Sequence, residues 1–138
     1  MNRRALLLLP LLAVLAACYK DDVDIDALTT NPLDPDYTGP AFITVSGNDT
    51  YPVDTTYNQE VYVDVDASRF PGNSAYQLRV VDEANGEVTL IPQDLGTPDA
   101  FTYTNFNVEL GTEYCYKISV EIQFSHSREE GYCATAAL

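Results

Sequence analysis

Residues from about Pro40 to Leu138 predict an all-β sandwich, and three observations carry that expectation. Apolar and polar residues alternate in short runs, as at Val61, Val63 and Val65 against Tyr62, Asp64 and Asp66. Glycine, proline and asparagine punctuate these runs at intervals of roughly ten residues, the rhythm of a sandwich. No sustained helical period runs through the segment. About a hundred residues suffice for one domain with one hydrophobic core.

Seven strands are expected. The first is Ala41 to Ser46, bounded by Pro40 and by the turn residues Gly47-Asn48-Asp49. The second runs from Glu60 to Asp66 with its valines on the buried face, and Pro71-Gly72-Asn73 then turns the chain. The third, Ala75 to Asp82, alternates Tyr76, Leu78 and Val80 against Gln77, Arg79 and Val81. Asn85-Gly86 is a strong hairpin signal, because a two-residue turn of this kind needs positive φ at both positions. The fourth strand, Glu87 to Ile91, is therefore antiparallel to the third. Pro92 to Asp99, with Gly96 and two prolines, reads as a loop. The fifth strand, Ala100 to Phe106, sets Phe101 and Tyr103 against Thr102 and Thr104. The sixth runs from Tyr114 to Phe124 with Tyr116, Ile118, Val120 and Ile122 on one face, a length that suits a central strand. Ser125 to Gly131 connects it to a seventh strand near Tyr132 to Ala136.

The segment Val108-Glu109-Leu110-Gly111-Thr112-Glu113-Tyr114-Cys115-Tyr116-Lys117-Ile118-Ser119-Val120 resembles the sixth strand of fibronectin type III domains. Val108 stands at the family's Leu, Leu110 at its Pro, and Tyr114 at its corner Tyr. The resemblance implies that the Tyr114 hydroxyl ties the preceding loop to the strand. The family's second-strand Trp is missing, since the chain contains no Trp, so a related immunoglobulin-like sandwich is the alternative. The expected fold is one seven-stranded, immunoglobulin-like or fibronectin type III-like antiparallel sandwich over residues 40–138.

The N-terminal part has a different organisation. Arg3 and Arg4 precede an apolar run from Ala5 to Ala17, the order of a secretory signal. About 13 apolar residues fall short of the roughly 20 that a bilayer core requires, and Pro10 interrupts them. Leu15-Ala16-Ala17-Cys18 resembles a bacterial lipobox. That resemblance implies cleavage of residues 1–17 and acylation of Cys18, which holds the protein on a membrane without a spanning helix. Lys20-Asp21-Asp22 resembles the signal that exports lipoproteins of Bacteroidota to the outer face of the outer membrane. Residues 18–39 are acidic and then proline-rich, from Pro32 and Pro35 to Pro40, which reads as a disordered tether.

The full chain carries a formal charge of −14. Without Arg3 and Arg4, five Lys and Arg stand against twenty-one Asp and Glu, hence −16. Such a polyanion excludes nucleic-acid binding through phosphates and is repelled by anionic headgroups, so the membrane partner is reached through the lipid. With Cys18 acylated, Cys115 and Cys133 form an even pair in an oxidising compartment. Each lies beside a tyrosine expected to point inward, so a disulfide across the last hairpin is expected; two free thiols are the alternative.

Residue chemistry gives little sign of catalysis. His126 lies in Ser125-His126-Ser127-Arg128-Glu129-Glu130 with no strained nucleophile turn and no buried acid to orient it. Asp64 and Asp66 could contribute to a calcium site, but without the surrounding oxygen-rich loop they read as a solvated face. No zinc spacing or phosphate loop appears, and no cofactor or metal is expected. Asp54-Thr55-Thr56 resembles the sequon for O-glycosylation at Thr55 in Bacteroidota envelopes. The expected function is that of a non-catalytic, surface-displayed binding or adhesion module with a protein or glycan partner. It would bind through Ser125 to Glu130, clustered at one end with Pro71 to Ser74 and Thr55 to Asn58. The alternatives are an accessory subunit of an outer-membrane complex and a small glycan-acting enzyme.

Overall fold

A computed structural model describes residues 31–70, 75–123 and 125–138. The expected signal peptide, Cys18 and the Lys20-Asp21-Asp22 stretch lie outside the described residues. Among those described, no helix is long and apolar enough to cross a membrane.

The chain forms two antiparallel sheets stacked as a sandwich. In the first, β1 (Ile43–Val53), β2 (Thr56–Val65) and β5 (Ala100–Val108) lie in the order β1-β2-β5. In the second, β3 (Gln77–Asp82) lies between β4 (Val88–Pro92) and β6 (Glu113–Ile122), and the far edge of β6 is shared by β7 (Ser125–His126) and β8 (Glu130–Thr135).

Period-two patterning sets the inner faces as the sequence predicts. Val61, Val63 and Val65 from β2, Leu78 and Val80 from β3, Phe101 and Tyr103 from β5, and Tyr116, Ile118 and Val120 from β6 are all buried. Gln59, also fully buried, faces inward with the valines; its Oε1 accepts the Tyr116 hydroxyl, which in turn accepts a hydrogen bond from Asn105 Nδ2. Cys115 and Cys133 sit directly opposite each other on β6 and β8 and form the expected disulfide.

The first strand is longer than expected. Gly47-Asn48-Asp49 does not turn the chain; a bulge between Val45 and Gly47 absorbs the irregularity, and β1 continues to Val53. The true turn is Asp54-Thr55, with Asp54 at φ 51°, where a short acidic side chain tolerates the left-handed region. Conversely, Asn85-Gly86 is not a two-residue turn. Asp82 Oδ1 accepts the Ala84 N–H and Asn85 Oδ1 accepts the Glu87 N–H, so the loop spans Glu83 to Gly86, and only Gly86 takes positive φ.

The sixth strand ends at Ile122, and the expected loop after it is a bulged return strand. Residues 125–127 pair with 120–122, through the Ser127 N–H to Val120 O bond at 2.8 Å; residues 130–135 pair with 113–118 in a register one residue displaced. Arg128 and Glu129 therefore oppose Ser119 together. A bulge of this kind aims adjacent side chains in different directions.

The folded part begins before Pro40. Asn31 to Tyr37, assigned to the tether by sequence, fold into turns, with Leu33 against the core and Tyr37 only 5% exposed. Tyr37 leads a series of rings, edge-on through Phe42, Phe70 and Tyr76 and then tilted against Phe101, which closes the end of the sandwich where β1 starts.

Candidate functional site: the tyrosine–carboxylate face

The loop singled out in the sequence is occupied by structural tasks. Ser127 is fully buried, and its Oγ accepts the Val120 N–H at 3.0 Å and donates to Arg128 O. Arg128 Nη1 donates to Tyr37 O at 2.8 Å, its guanidinium lies 5.8 Å from the centre of the Tyr37 ring, and Nε donates to Glu130 Oε1. Glu129 points the other way, to Arg79 at 2.8 Å and Lys117 at 4.0 Å. His126 Nδ1 lies 2.8 Å from Ser127 O, a contact that requires the proton on Nδ1. With Ser127 Oγ bonded elsewhere, the two do not form a nucleophile and its base.

The loops expected to cluster do not. Thr55 tips the β1–β2 hairpin, at the end shared with the start of β6, whereas Ser125 to Glu130 lies toward the other end; Asn58 is a buried strand residue. Pro71 to Ser74 lie outside the described residues. Thr55 itself is exposed. Asp66 lies beyond β2 and is held by Ser68 and by Arg69 at 3.0 Å, bonds that lower its pKa, while Asp64 stands exposed on the strand. Among the described residues, Glu113, Cys115 and Cys133 are a trio with ligand atoms within 4.8 Å of one another, and two of them are the disulfide.

A different surface stands out on the outer side of the β1-β2-β5 sheet. The hairpin register sets Asp49 opposite Glu60 and Gly47 opposite Tyr62, and β5 adds Thr104 beside Glu60 and Thr102 beside Tyr62. Diagonal neighbours on a sheet are within reach of long side chains. Tyr51 Oη thus donates to Glu60 Oε1 at 3.0 Å, and Tyr62 Oη lies 3.0 Å from Glu60 Oε2 and 3.1 Å from Asp49 Oδ2. These two carboxylates push the Tyr62 pKa up to about 12, chiefly through the bond to Glu60 and then that to Asp49. The Tyr62 ring lies beside Gly47, where a Cβ would meet it at 3.8 Å, an ordinary van der Waals contact. Phe106, 66% exposed, follows Thr104 at the outward spacing of β5.

One hydroxyl proton cannot serve two carboxylates at once, so this face carries more acceptors than donors. Nor does it contain a cation: β1, β2 and β5 have no Lys or Arg. All four Lys and Arg after residue 30 lie elsewhere and are ion-paired, Arg69 with Asp66, Arg79 with Glu121 and Glu129, Lys117 with Glu83 and Glu129, and Arg128 with Glu130. Both sheets bear carboxylates, but those of the β1-β2-β5 strands have no cation among their own residues to offset them. An open depression of about 530 Å³ lies beside Tyr76, Pro92, Gln93 and Leu95. Its Gln93 is fixed by the Tyr76 N–H and by Pro98 O, while Gln77, Glu121 and Gln123 complete its polar lining.

Sequence reasoning found Tyr62 on the outward face but missed Asp49 and Tyr51, which it placed in or after a turn. Reflection about Asp54-Thr55 was the available signal, since it maps Asp49 onto Glu60. No protein-family model, curated protein or solved structure matches the chain.

Proposed function

We propose that this chain is a non-catalytic, lipid-anchored binding module of the outer membrane, displayed at the cell surface and held through Cys18. Its domain is of the fibronectin type III kind. That reading is supported by the sheet orders β1-β2-β5 and β4-β3-β6-β8 and by Tyr114, whose hydroxyl accepts the Glu109 N–H at 2.8 Å in the manner the family resemblance implies. The observation that carries the binding reading is the uncompensated acidic face of Asp49, Glu60 and Tyr62. Aromatic faces and carboxylates both attract cations, and a field of one sign steers an oppositely charged partner. The favoured ligand is a partner protein presenting Lys or Arg.

Chain direction supports the same choice. β1 begins at the end closed by Tyr37, so the anchor joins the sandwich there, and the Ser125 to Glu130 segment lies toward that end. The Asp54-Thr55 turn and most of the acidic face point away from the lipid, which also leaves Thr55 open to O-glycosylation.

The test is recovery of partners by the tagged, lipidated protein from gently solubilised outer membranes, with Cys18→Ala as the unanchored control and Asp49→Asn/Glu60→Gln as the face variant. A basic partner should be recovered at low salt and lost both in the face variant and at about 0.5 M salt, where screening is short-ranged. Recovery indifferent to the face variant refutes the assignment of the face. A partner in near-equal amounts would identify an accessory subunit.

A further inference from the structure

We infer that β4 is a self-pairing edge, through which two copies of this chain join their sheets about a two-fold axis at Leu90. Exposed strand edges invite pairing unless bulges, charges or prolines guard them. Among the described residues, three of the four edges are guarded. β1 carries the Val45/Gly47 bulge, Asp49 and Pro52, and its Asn48 side chain donates to the Tyr132 hydroxyl of β8. β5 is bulged at Asn107, which takes φ 59°, and the return strand is bulged at Arg128-Glu129. β4 is straight and uncharged, has its one proline only at its last residue, Pro92, pairs on one side only among the described residues, and carries Val88 and Leu90 exposed at 49% and 43%.

Its register is self-complementary. Asp82 N–H donates to Glu87 O, so the alternation of an antiparallel ladder directs the bonds of Thr89 and Ile91 toward β3. The N–H and C=O of Val88 and Leu90 therefore point outward. In a two-fold pairing each Leu90 exchanges both bonds with Leu90 of the second copy, and each Val88 N–H meets the C=O of Pro92 there. Proline has no N–H to give in return, which ends the ladder at that point. Pairing stops at a closed dimer, because the edge is used up on both copies.

Charge favours a second copy here above other places on the molecule. Copies of a chain with formal charge −14 repel. Yet β4 bears no carboxylate, Leu90 lies beside Arg79 in the sheet, and the two-fold register sets Glu87 opposite Gln93 rather than another acid. Contact through one short edge is smaller than the roughly 1,200 Å² of a stable dimer, so association is weak and concentration-dependent.

The experiment uses the full chain carrying Cys18→Ala, in which Cys115 and Cys133 are paired and an added cysteine is the one free thiol. Directly bonded antiparallel partners bring Cα atoms to about 5.5 Å, within disulfide reach. Under mild oxidation Leu90→Cys should form covalent dimer at least tenfold faster than Val53→Cys, which is similarly exposed at the β1–β2 turn; equal rates overturn the proposal. In sedimentation, the apparent mass of the Cys18→Ala chain should rise toward twice the monomer as concentration increases from about 10 μM to about 1 mM, the range of a small interface. Leu90→Lys, at an exposed position that leaves the β3 ladder intact, should remain monomeric with an unchanged melting temperature. A chain that stays monomeric throughout, or a Leu90→Lys variant that associates equally, refutes the edge. Neither assay touches Asp49, Glu60 or Tyr62, so failure here leaves the acidic-face reading standing, and the converse holds.

Discussion

Replacing Arg128 by Ala should release the N-terminal segment from the sandwich. The side chain gives one charge-assisted bond to Tyr37 O at 2.8 Å, a cation–π contact to the same ring at 5.8 Å, and an ion pair to Glu130 in which both side chains are about one-third exposed. A hydrogen bond from a charged group contributes about 1.5–3 kcal/mol, and a cation–π contact of this exposure about 0.5–1 kcal/mol. The partly solvated ion pair adds little after screening. Arg128→Ala should therefore cost about 2–4 kcal/mol. With a urea dependence of about 1–1.5 kcal/mol per molar for a domain of this size, the unfolding midpoint should fall by about 1.5–4 M. Arg128→Lys, which keeps the charge but loses the planar fork, should fall between. A double-mutant cycle with Tyr37→Ala tests the mechanism, because the ring contact and the seating of the segment are shared. Coupling near 1 kcal/mol is expected. Additivity within about 0.5 kcal/mol would show that Arg128 does not bear on the Tyr37 ring and would leave only its bond to the main-chain Tyr37 O, which Tyr37→Ala retains.

Gly39→Ala should destabilise through the same segment, by about 1–3 kcal/mol in chemical denaturation, because a Cβ there would overlap the Tyr37 ring and hydroxyl. Cys115→Ser/Cys133→Ser should lose roughly 3 kcal/mol, as expected for a cross-link closing a loop of 18 residues in sequence separation; labelling of both thiols in the unreduced native protein would disprove the bond. Tyr62 should ionise at about 12 in a tyrosine-resolved NMR titration and return toward 10 in Asp49→Asn/Glu60→Gln. Because its folded pKa lies above the unfolded value, the folded state holds this proton longer. Its contribution to stability is complete below pH 10 and is lost as pH rises toward 12. Ionisation near 10 in the unaltered protein would contradict the hydrogen bonds to the two carboxylates.

The inner faces of the sandwich were legible because burial on one side of a sheet writes itself as a period of two. Val61, Val63 and Val65, or Leu78 and Val80, need no neighbour in space to be recognised. Edge and irregular segments leave no such trace. Asn48 to Val53 belongs to an edge strand whose largely polar side chains face solvent, so its turn-forming residues outweigh its pairing in the sequence. At Arg128-Glu129 a one-residue slip breaks the period and disguises strand as loop. Tyr37 is the buried anchor of a segment otherwise rich in proline and acid, and its partner Arg128 lies ninety-one residues away. The acidic face was half visible for the same reason: Tyr62 alternates with valines, whereas Asp49 and Tyr51 acquire meaning only once the Asp54-Thr55 turn folds them onto Glu60.

The least legible feature has a consequence for the whole arrangement. Apolar faces specify that two sheets stack but tolerate many offsets, since packing is non-directional. Gln59, Asn105 and Tyr116 are directional: the first two belong to the β1-β2-β5 sheet, the third to the opposing one, and their bonds of 2.8 and 3.1 Å close at one offset. Burial pushes the Tyr116 hydroxyl far above its ordinary pKa, so it stays a neutral donor throughout the physiological range. A slip of either sheet would leave the buried Gln59 carbonyl and Tyr116 hydroxyl without partners, at about 1–3 kcal/mol each. Polar residues in the core thus select one stacking among several that the valines would accept. That stacking brings the start of β1 beside the return strand, where Arg128 can reach Tyr37.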